Sequence, residues 1–515
     1  MIENRKETGR KSDGLQPKRQ DMAPRYLIGI DQSTQGTKAI LLDDFGRLLI
    51  RTDLSHRQII SEKGWVSHDP EEIYANTIRV IETLLEKAQI PAEQIAGVGI
   101  SNQRETSMIW EKESGRPMAD AVVWQCARAE EICARPEVEA HADEIYEKTG
   151  LKLSPYFPAA KFAWLLEHTE GAKEKEAAGE LCMGTMDVWL VYKLTGGLSY
   201  KTDYSNASRT QLFHLSELKW DEKICGLFGI HTSSLPVVCD SDSCFGMTDF
   251  EGLLPHPVPI HGVLGDSHAA LFGQGCLLPG TGKATYGTGS SIMMNTGDTP
   301  IRSKNGLVSS IGWKLGGKLV YVLEGNINYT GAAISWLKDQ VRLIDSAGET
   351  EHLCRAAVKD DDLYFVPAFT GLGAPYWNSA CRGSLSGIGR TTGREEIVRA
   401  CVESIAYQIR DVVDAMGADA GICPESLRVD GGPTKNTYLM QFQSDMLGSE
   451  VLVSDSEEMS AIGAACAAGI VLGILPADVT EQIKRTAYHP QMDEELRIKK
   501  WNGWKRVVVI DFVTA

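Results

Sequence analysis

The stretch RYLIGIDQSTQGTKAILLD, residues 25–43, reads as two strands joined by a polar turn. Residues 26–30 form an apolar run of strand length, and Asp31 stands at its end. Residues 33–37, STQGT, supply small side chains and hydroxyls, and residues 38–43 form a second apolar run that closes a hairpin. Exposed backbone N–H groups in such a turn, helped by hydroxyls and a nearby Lys, make an anion-binding nest. An Asp beside a phosphate site suits Mg²⁺, which prefers oxygen ligands and keeps its waters. Taken alone, the stretch reads more simply as an ordinary polar hairpin, because the G-x-x-x-x-G-K-[ST] phosphate loop is missing from the chain.

The same design recurs half a chain later. GKATYGTGSSIMMNT, residues 282–296, places Gly-Thr-Gly between two strand-like runs. Two such hairpins predict a duplicated α/β architecture with a nucleotide between the halves. Between them, residues 95–100 form an apolar strand that ends in SNQRET, residues 101–106. Ligands gather outside the carboxyl ends of strands in open α/β sheets. Arg104 and Glu105, a five-donor fork and an acceptor pair, are therefore placed to bracket two hydroxyls of a polyol; a surface ion pair is the competing explanation. Trp124 and Tyr156 offer flat rings for the C–H face of a small polyol, although core packing is the commoner fate of an aromatic. Residues 258–264 form a strand running into Gly265 and Asp266, with a helix following, so Asp266 sits at a strand end near a helix N-terminus. Its neighbours Ser267 and His268 suggest a hydrolase, but no G-x-S-x-G elbow is present. Asp69 with Pro70 and Glu72 predicts a helix start with a capping box. Residues 394–416 predict a long helix, and Gly431 and Gly432 directly follow a strand at 427–430. A double Gly there lets a ring or phosphate lie on bare backbone.

The chain's 515 residues are too many for one core. With 43% apolar and 23% charged residues it has the composition of a water-soluble globular protein. The net charge of −17 argues against nucleic-acid or anionic-membrane binding, which would need a basic face. Twelve Cys, none in a Cys-x-x-Cys pair, fit a reducing cytoplasm. Residues 459–475 are apolar but short for a membrane span and rich in Gly and Ala, so a tightly packed core helix is expected.

Assembled, these residues resemble the FGGY family of carbohydrate kinases, its glycerol kinases most closely. NQRET (102–106), WQC (124–126), YFPAAKFAWLLEH (156–168), PAFTGLGAPYW (367–377) and GGPTKN (431–436) carry the likeness. The resemblance implies two actin-like, ribonuclease-H-like domains with the active site in the cleft. Residues 1–23 would be a disordered polar tail. Residues 24–273 would carry the substrate and first phosphate loop, and 274–515 would bind the nucleotide. It implies ATP and Mg²⁺ as cofactors, with Asp31 and Asp266 at the metal. Thr34, Gln35, Gly36 and Lys38 would form the first phosphate loop and Thr288 the second. Gly331, Ser335, Gly432 and Asn436 would meet the nucleotide. Arg104, Glu105, Trp124, Tyr156 and Asp266 would contact the substrate, with Asp266 as base. The implied partner is a small polyol or sugar, with no nucleic acid and no membrane span; a homo-oligomer, dimer or tetramer, is left open.

The departures from the family pattern fall around the substrate. GDSH at 265–268 replaces the usual GDQQ, and Ser291 replaces an aromatic. Ser33, Gln35 and Lys38 depart in the first loop. Shorter side chains at Ser267 and Ser291 imply a larger, more polar pocket. The expected reaction is γ-phosphoryl transfer from ATP to a terminal hydroxyl of glycerol or a glycerol-like polyol. A four- or five-carbon polyol or ketose is the alternative. An actin- or chaperone-like ATPase without small-molecule transfer is a more distant one.

Overall fold

The computed structural model describes residues 23–358 and 362–513; the tail expected over 1–23 lies, but for its last residue, outside them. A six-stranded sheet forms the first half. Its strands are β1 (Tyr26–Gln32), β2 (Gly36–Leu42), β3 (Leu48–Ser55), β4 (Ile95–Asn102), β5 (Gly246–Thr248) and β6 (Val258–Gly265), in the order β5-β6-β4-β1-β2-β3. β1 pairs antiparallel with β2 and parallel with β4, which in turn pairs parallel with β6. The second half holds a seven-stranded sheet of β7 (Gly282–Tyr286), β8 (Ser290–Gly297), β9 (Val308–Leu315), β10 (Lys318–Ile327), β11 (Ser426–Asp430), β12 (Glu450–Ser454) and β13 (Arg485–Tyr488). Its order is β9-β10-β8-β7-β11-β12-β13. Here β10, β8 and β7 run antiparallel, β7, β11 and β12 parallel, and β13 antiparallel again. The first sheet follows the same rule through β3, β2, β1, β4, β6 and β5. The duplication expected from two hairpins is therefore a duplication of sheet topology, with β9 as the one extra strand.

Helix α1 (Pro70–Ala88) starts where Asp69 accepts the N–H groups of Glu71 and Glu72. The expected capping box is only half formed, because the Glu72 carboxylate turns away to Arg57. Helices α2 (Pro158–His168), α3 (Asp266–Gly273), α4 (Gly331–Asp339), α5 (Arg394–Ala420), α6 (Thr437–Leu447) and α7 (Met459–Val471) complete the frame used below. Helix α7 lies far along the chain yet packs on the first sheet. Its alanines fit because Gly29, Gly99 and Gly262 leave room; a Cβ at any of them would overlap the carbonyls of Ala461 or Ala464. Helices α3 and α7 cross as closely, and a Cβ on Gly463 would overlap Ala269 O. The two small-residue helices thus join the halves through backbone contact.

Candidate active site

The carboxyl ends of β1, β4 and β6 bring the expected carboxylates and cations together. Asp31 is buried at the end of β1, accepts a hydrogen bond from Ser101 Oγ at 2.9 Å, and sits in register with Lys38 across the hairpin. Burial pushes its carboxyl up to about 6; the Lys38 ammonium pulls down and the Asp266 charge adds to the rise. The two carboxylates feel each other, as members of one site must.

In the turn, the Ser33 N–H and hydroxyl both donate to Gly36 O at 2.9 Å. Thr34 Oγ1 accepts a hydrogen bond from Trp124 Nε1 at 2.9 Å, and the Trp124 ring lies 5.5 Å from Tyr156 at 59°. The two aromatics expected near a substrate therefore connect to the phosphate-type turn. Gln35 is exposed, and the backbone of β3 crosses too close to Gly36 for a Cβ to fit.

Arg104 is the hub of the site. Its Nε lies 2.8 Å from Asp266 Oδ1, and its terminal nitrogens each donate at 2.9 Å to one oxygen of Glu324. Arg104 and Glu105 are buried but do not pair with each other, which removes the surface ion-pair reading. Glu105 instead accepts from Arg209 Nε at 2.5 Å, and Arg209 reaches Glu324 at 3.0 Å. Burial alone would raise the Glu324 carboxyl, but Arg104 and Arg209 outweigh it and hold it far below the usual range. Ser291 Oγ donates to Glu324 at 3.0 Å, and Ser267 Oγ lies 3.0 Å from Ser291 Oγ. The short side chains at 267 and 291 thus meet hydroxyl to hydroxyl, with Ser291 bonded to a carboxylate and Ser267 accepting from Arg104. Asp266 is the partly exposed member, oriented by Arg104 and by the Ser267 N–H at 2.6 Å. His268 is buried against Ser310 and takes no part in a triad.

A separate cavity of about 610 Å³ opens in the second half. Five of the expected nucleotide residues, Thr288, Gly331, Ser335, Gly432 and Asn436, line it. Residues 34–36 and 38 do not. Gly331 donates to Gly287 O at 2.9 Å, which seats the start of α4 on the second turn. Gly432 faces open space, whereas neighbouring Gly431, at φ 99°, is packed against the Tyr286 backbone. Asn436 caps α6 through Leu439 N–H, and its amide donates to Thr350, so its side chain shapes the cavity wall.

Sequence reasoning missed Glu324, Arg209, Lys283 and Glu458. Glu324 carried a readable signal: a lone carboxylate inside the apolar run LVYVLEG must find cations once buried. Lys283, fully buried, donates to Thr285 Oγ1 at 3.0 Å under the second turn. Among the described residues, no cluster of three or more His, Cys, Asp or Glu could hold a metal ion unaided.

Two family models match this arrangement: the N-terminal domain of the FGGY family of carbohydrate kinases over residues 26–273, and its C-terminal domain over residues 282–472. The chain belongs to the FGGY family of carbohydrate kinases. An FGGY kinase is a phosphotransferase, which disposes of the ATPase reading without transfer. The chain is 45% identical over 487 residues to a glycerol kinase of Alkaliphilus oremlandii, covering 94% of this chain and 97% of that one. It is 46% identical over 486 residues to glycerol kinase 1 of Thermotoga maritima, with 94% and 99% covered. The structure of Plasmodium falciparum glycerol kinase with ADP superposes with a TM-score of 0.89 at 35% identity, over 95% of this chain and 98% of that chain. A xylulose kinase from Lactobacillus acidophilus shares the fold at TM-score 0.84 and 20% identity, over 95% and 98%. The two-domain actin-like expectation for this FGGY kinase holds. Among the described residues, no helix is long and apolar enough to cross a membrane.

Proposed function

We propose that this FGGY kinase transfers the γ-phosphoryl group of ATP to a terminal hydroxyl of glycerol or a glycerol-like short polyol. One observation carries the reading. A single hairpin, β7–β8, has Thr288 on the nucleotide-sized cavity and, three residues on, Ser291 in the Arg104–Glu324–Asp266 cluster. At about 3.3 Å per strand residue, the two positions are about 10 Å apart, so the hairpin supports a nucleotide cavity that adjoins the acceptor cluster. The glycerol kinase relatives, and the ADP in the Plasmodium falciparum structure, support the same substrates.

Asp266 aims the attacking hydroxyl and takes its proton late, as a loose transition state requires. Arg104 fixes the Asp266 carboxylate, and with Glu105, Trp124 and Tyr156 forms the polyol pocket. Lys38 and the turns at 34–36 and 287–289 offset charge on the phosphates. Asp31, buried and pushed up further by the Asp266 charge, and Asp266 itself are oxygen donors of the kind Mg²⁺ takes. These two carboxylates would hold a Mg²⁺, whose positive charge would offset that of the phosphates. The substrate half spans 24–273 and the nucleotide half 274–515, with α7 reaching back across the boundary. The twelve unpaired cysteines suit a cytoplasmic setting.

The hydroxyl pair of Ser267 and Ser291 favours a second reading, a four- or five-carbon polyol or ketose whose extra hydroxyl meets that wall. A coupled assay of ADP release separates the two. Glycerol, erythritol, threitol, erythrulose, ribulose and xylulose are compared by kcat/KM. A four- or five-carbon compound ahead of glycerol establishes the second reading; glycerol ahead of all of them retires it. Failure of every polyol to stimulate ADP release would overturn both.

A further inference from the structure

Glu458 stands immediately before α7, on the second-half side of the chain, with its carboxylate almost fully buried. Both of its charged partners come from the first sheet. Lys38 Nζ lies 3.1 Å from one oxygen, and Arg51 Nε lies 2.7 Å from the other. Lys38 is on β2 and Arg51 on the neighbouring edge strand β3. Two residues on, Ser460 Oγ donates to the carbonyl of Asp266 at 3.1 Å. The first turn of α7 therefore touches both the phosphate-loop lysine and the catalytic aspartate.

We propose that Glu458 is a positioning residue that competes with the nucleotide's phosphates for Lys38 and so drives product release. This rests on the reading of Lys38 as a phosphate ligand. Before binding, the Lys38 ammonium pairs with Glu458 and feels the charge of Asp31, its neighbour across the hairpin. When phosphate takes the ammonium, Glu458 keeps Arg51, so no buried carboxylate is left unpaired; without that second cation the exchange would strand a desolvated charge. After transfer, Glu458 reclaims Lys38 and lowers the affinity for ADP. A ligand can shift such an equilibrium only by its differential contacts with the two arrangements, and here the differential contact is one ammonium.

The test is a calorimetric titration of the full-length enzyme with MgADP, in four proteins: wild type, Glu458→Gln, Lys38→Met and the double variant. Glu458→Gln is expected to tighten MgADP several-fold in the wild-type background and to change nothing in the Lys38→Met background. Lys38→Met alone is expected to weaken MgADP. If Lys38→Met leaves MgADP affinity unchanged, Lys38 is no phosphate ligand and the proposal falls with that reading. If Lys38→Met weakens binding but Glu458→Gln weakens it too, or does nothing, the phosphate reading stands and the competition is overturned. Should Glu458→Gln not fold, Arg51→Gln decides. Stripped of its second cation, Glu458 should grip Lys38 harder and weaken MgADP; unchanged or tighter binding refutes the proposal. A role in packing alone would lower the melting temperature in both variants but would not give opposite signs in affinity.

Discussion

Arg104 clasps Glu324 with both terminal nitrogens, each 2.9 Å from a carboxylate oxygen, and both side chains are buried. The pair is shared, since Arg209 reaches the same carboxylate and Arg104 also holds Asp266. Replacing Glu324 by Gln leaves two guanidiniums buried with one counter-charge fewer. The expected loss is about 3–5 kcal/mol of unfolding free energy, the usual cost of breaking a buried pair from one side. Urea denaturation of Glu324→Gln measures it, and a loss below about 1 kcal/mol would show that solvent reaches the network.

Asp266→Asn should keep nucleotide binding and lose transfer. The side chain keeps its size and its place at the start of α3, so only proton acceptance and charge are removed. A fall in kcat of about 10²–10⁴-fold is expected, with the dissociation constant for ATP within a few-fold of wild type. Steady-state kinetics beside direct titration check both halves; a kcat within about tenfold of wild type would exclude Asp266 as the base.

Gly431 and Gly432 are adjacent in sequence and opposite in consequence. A Cβ on Gly432 meets no neighbour and points into the cavity, whereas one on Gly431 runs into Tyr286 and needs a left-handed backbone. Gly432→Val should therefore raise the KM for ATP while leaving the melting temperature unchanged. Gly431→Val should lower the melting temperature, and a reversed pattern would place the nucleotide elsewhere.

Lys161, on α2, gives a pH signature. It is fully buried, donates to Pro155 O at 2.7 Å and also to Tyr156 O, and burial pushes its ammonium down to about 7. The folded state therefore binds the proton less readily than the unfolded chain, whose Lys titrates near 10.4. The stability this group contributes is present above that unfolded value and is lost as the pH falls through about 7. Lys161→Met has no such titration, so wild type should gain on it in denaturant midpoint between pH 6 and pH 10. A difference that stays constant over that range would show the ammonium to be solvated.

Much of the site was legible in the chain because its signals are local. Asp31, Arg104, Glu105 and Asp266 each follow an apolar run of strand length, and strand ends are where these sheets present side chains to ligands. Ser33–Gly36 and Gly287–Gly289 mark the turns by composition alone. Trp124 and Tyr156 were singled out, but their link to Thr34 was not visible, because nothing in residue spacing says which ring a distant hydroxyl will meet. Glu324 showed itself only as an anomaly in an apolar run; its partners could not be named.

The sequence by itself determined the two hairpins, a small-residue core helix within 459–475 and the carboxylates at strand ends, because periodicity and turn chemistry act over a few neighbouring residues. The tertiary structure alone decided that Arg104 meets Glu324, 220 positions away, and that Glu458 meets Lys38. Buried charges must be matched wherever the fold brings them together, and that matching depends on how sheets and helices stack.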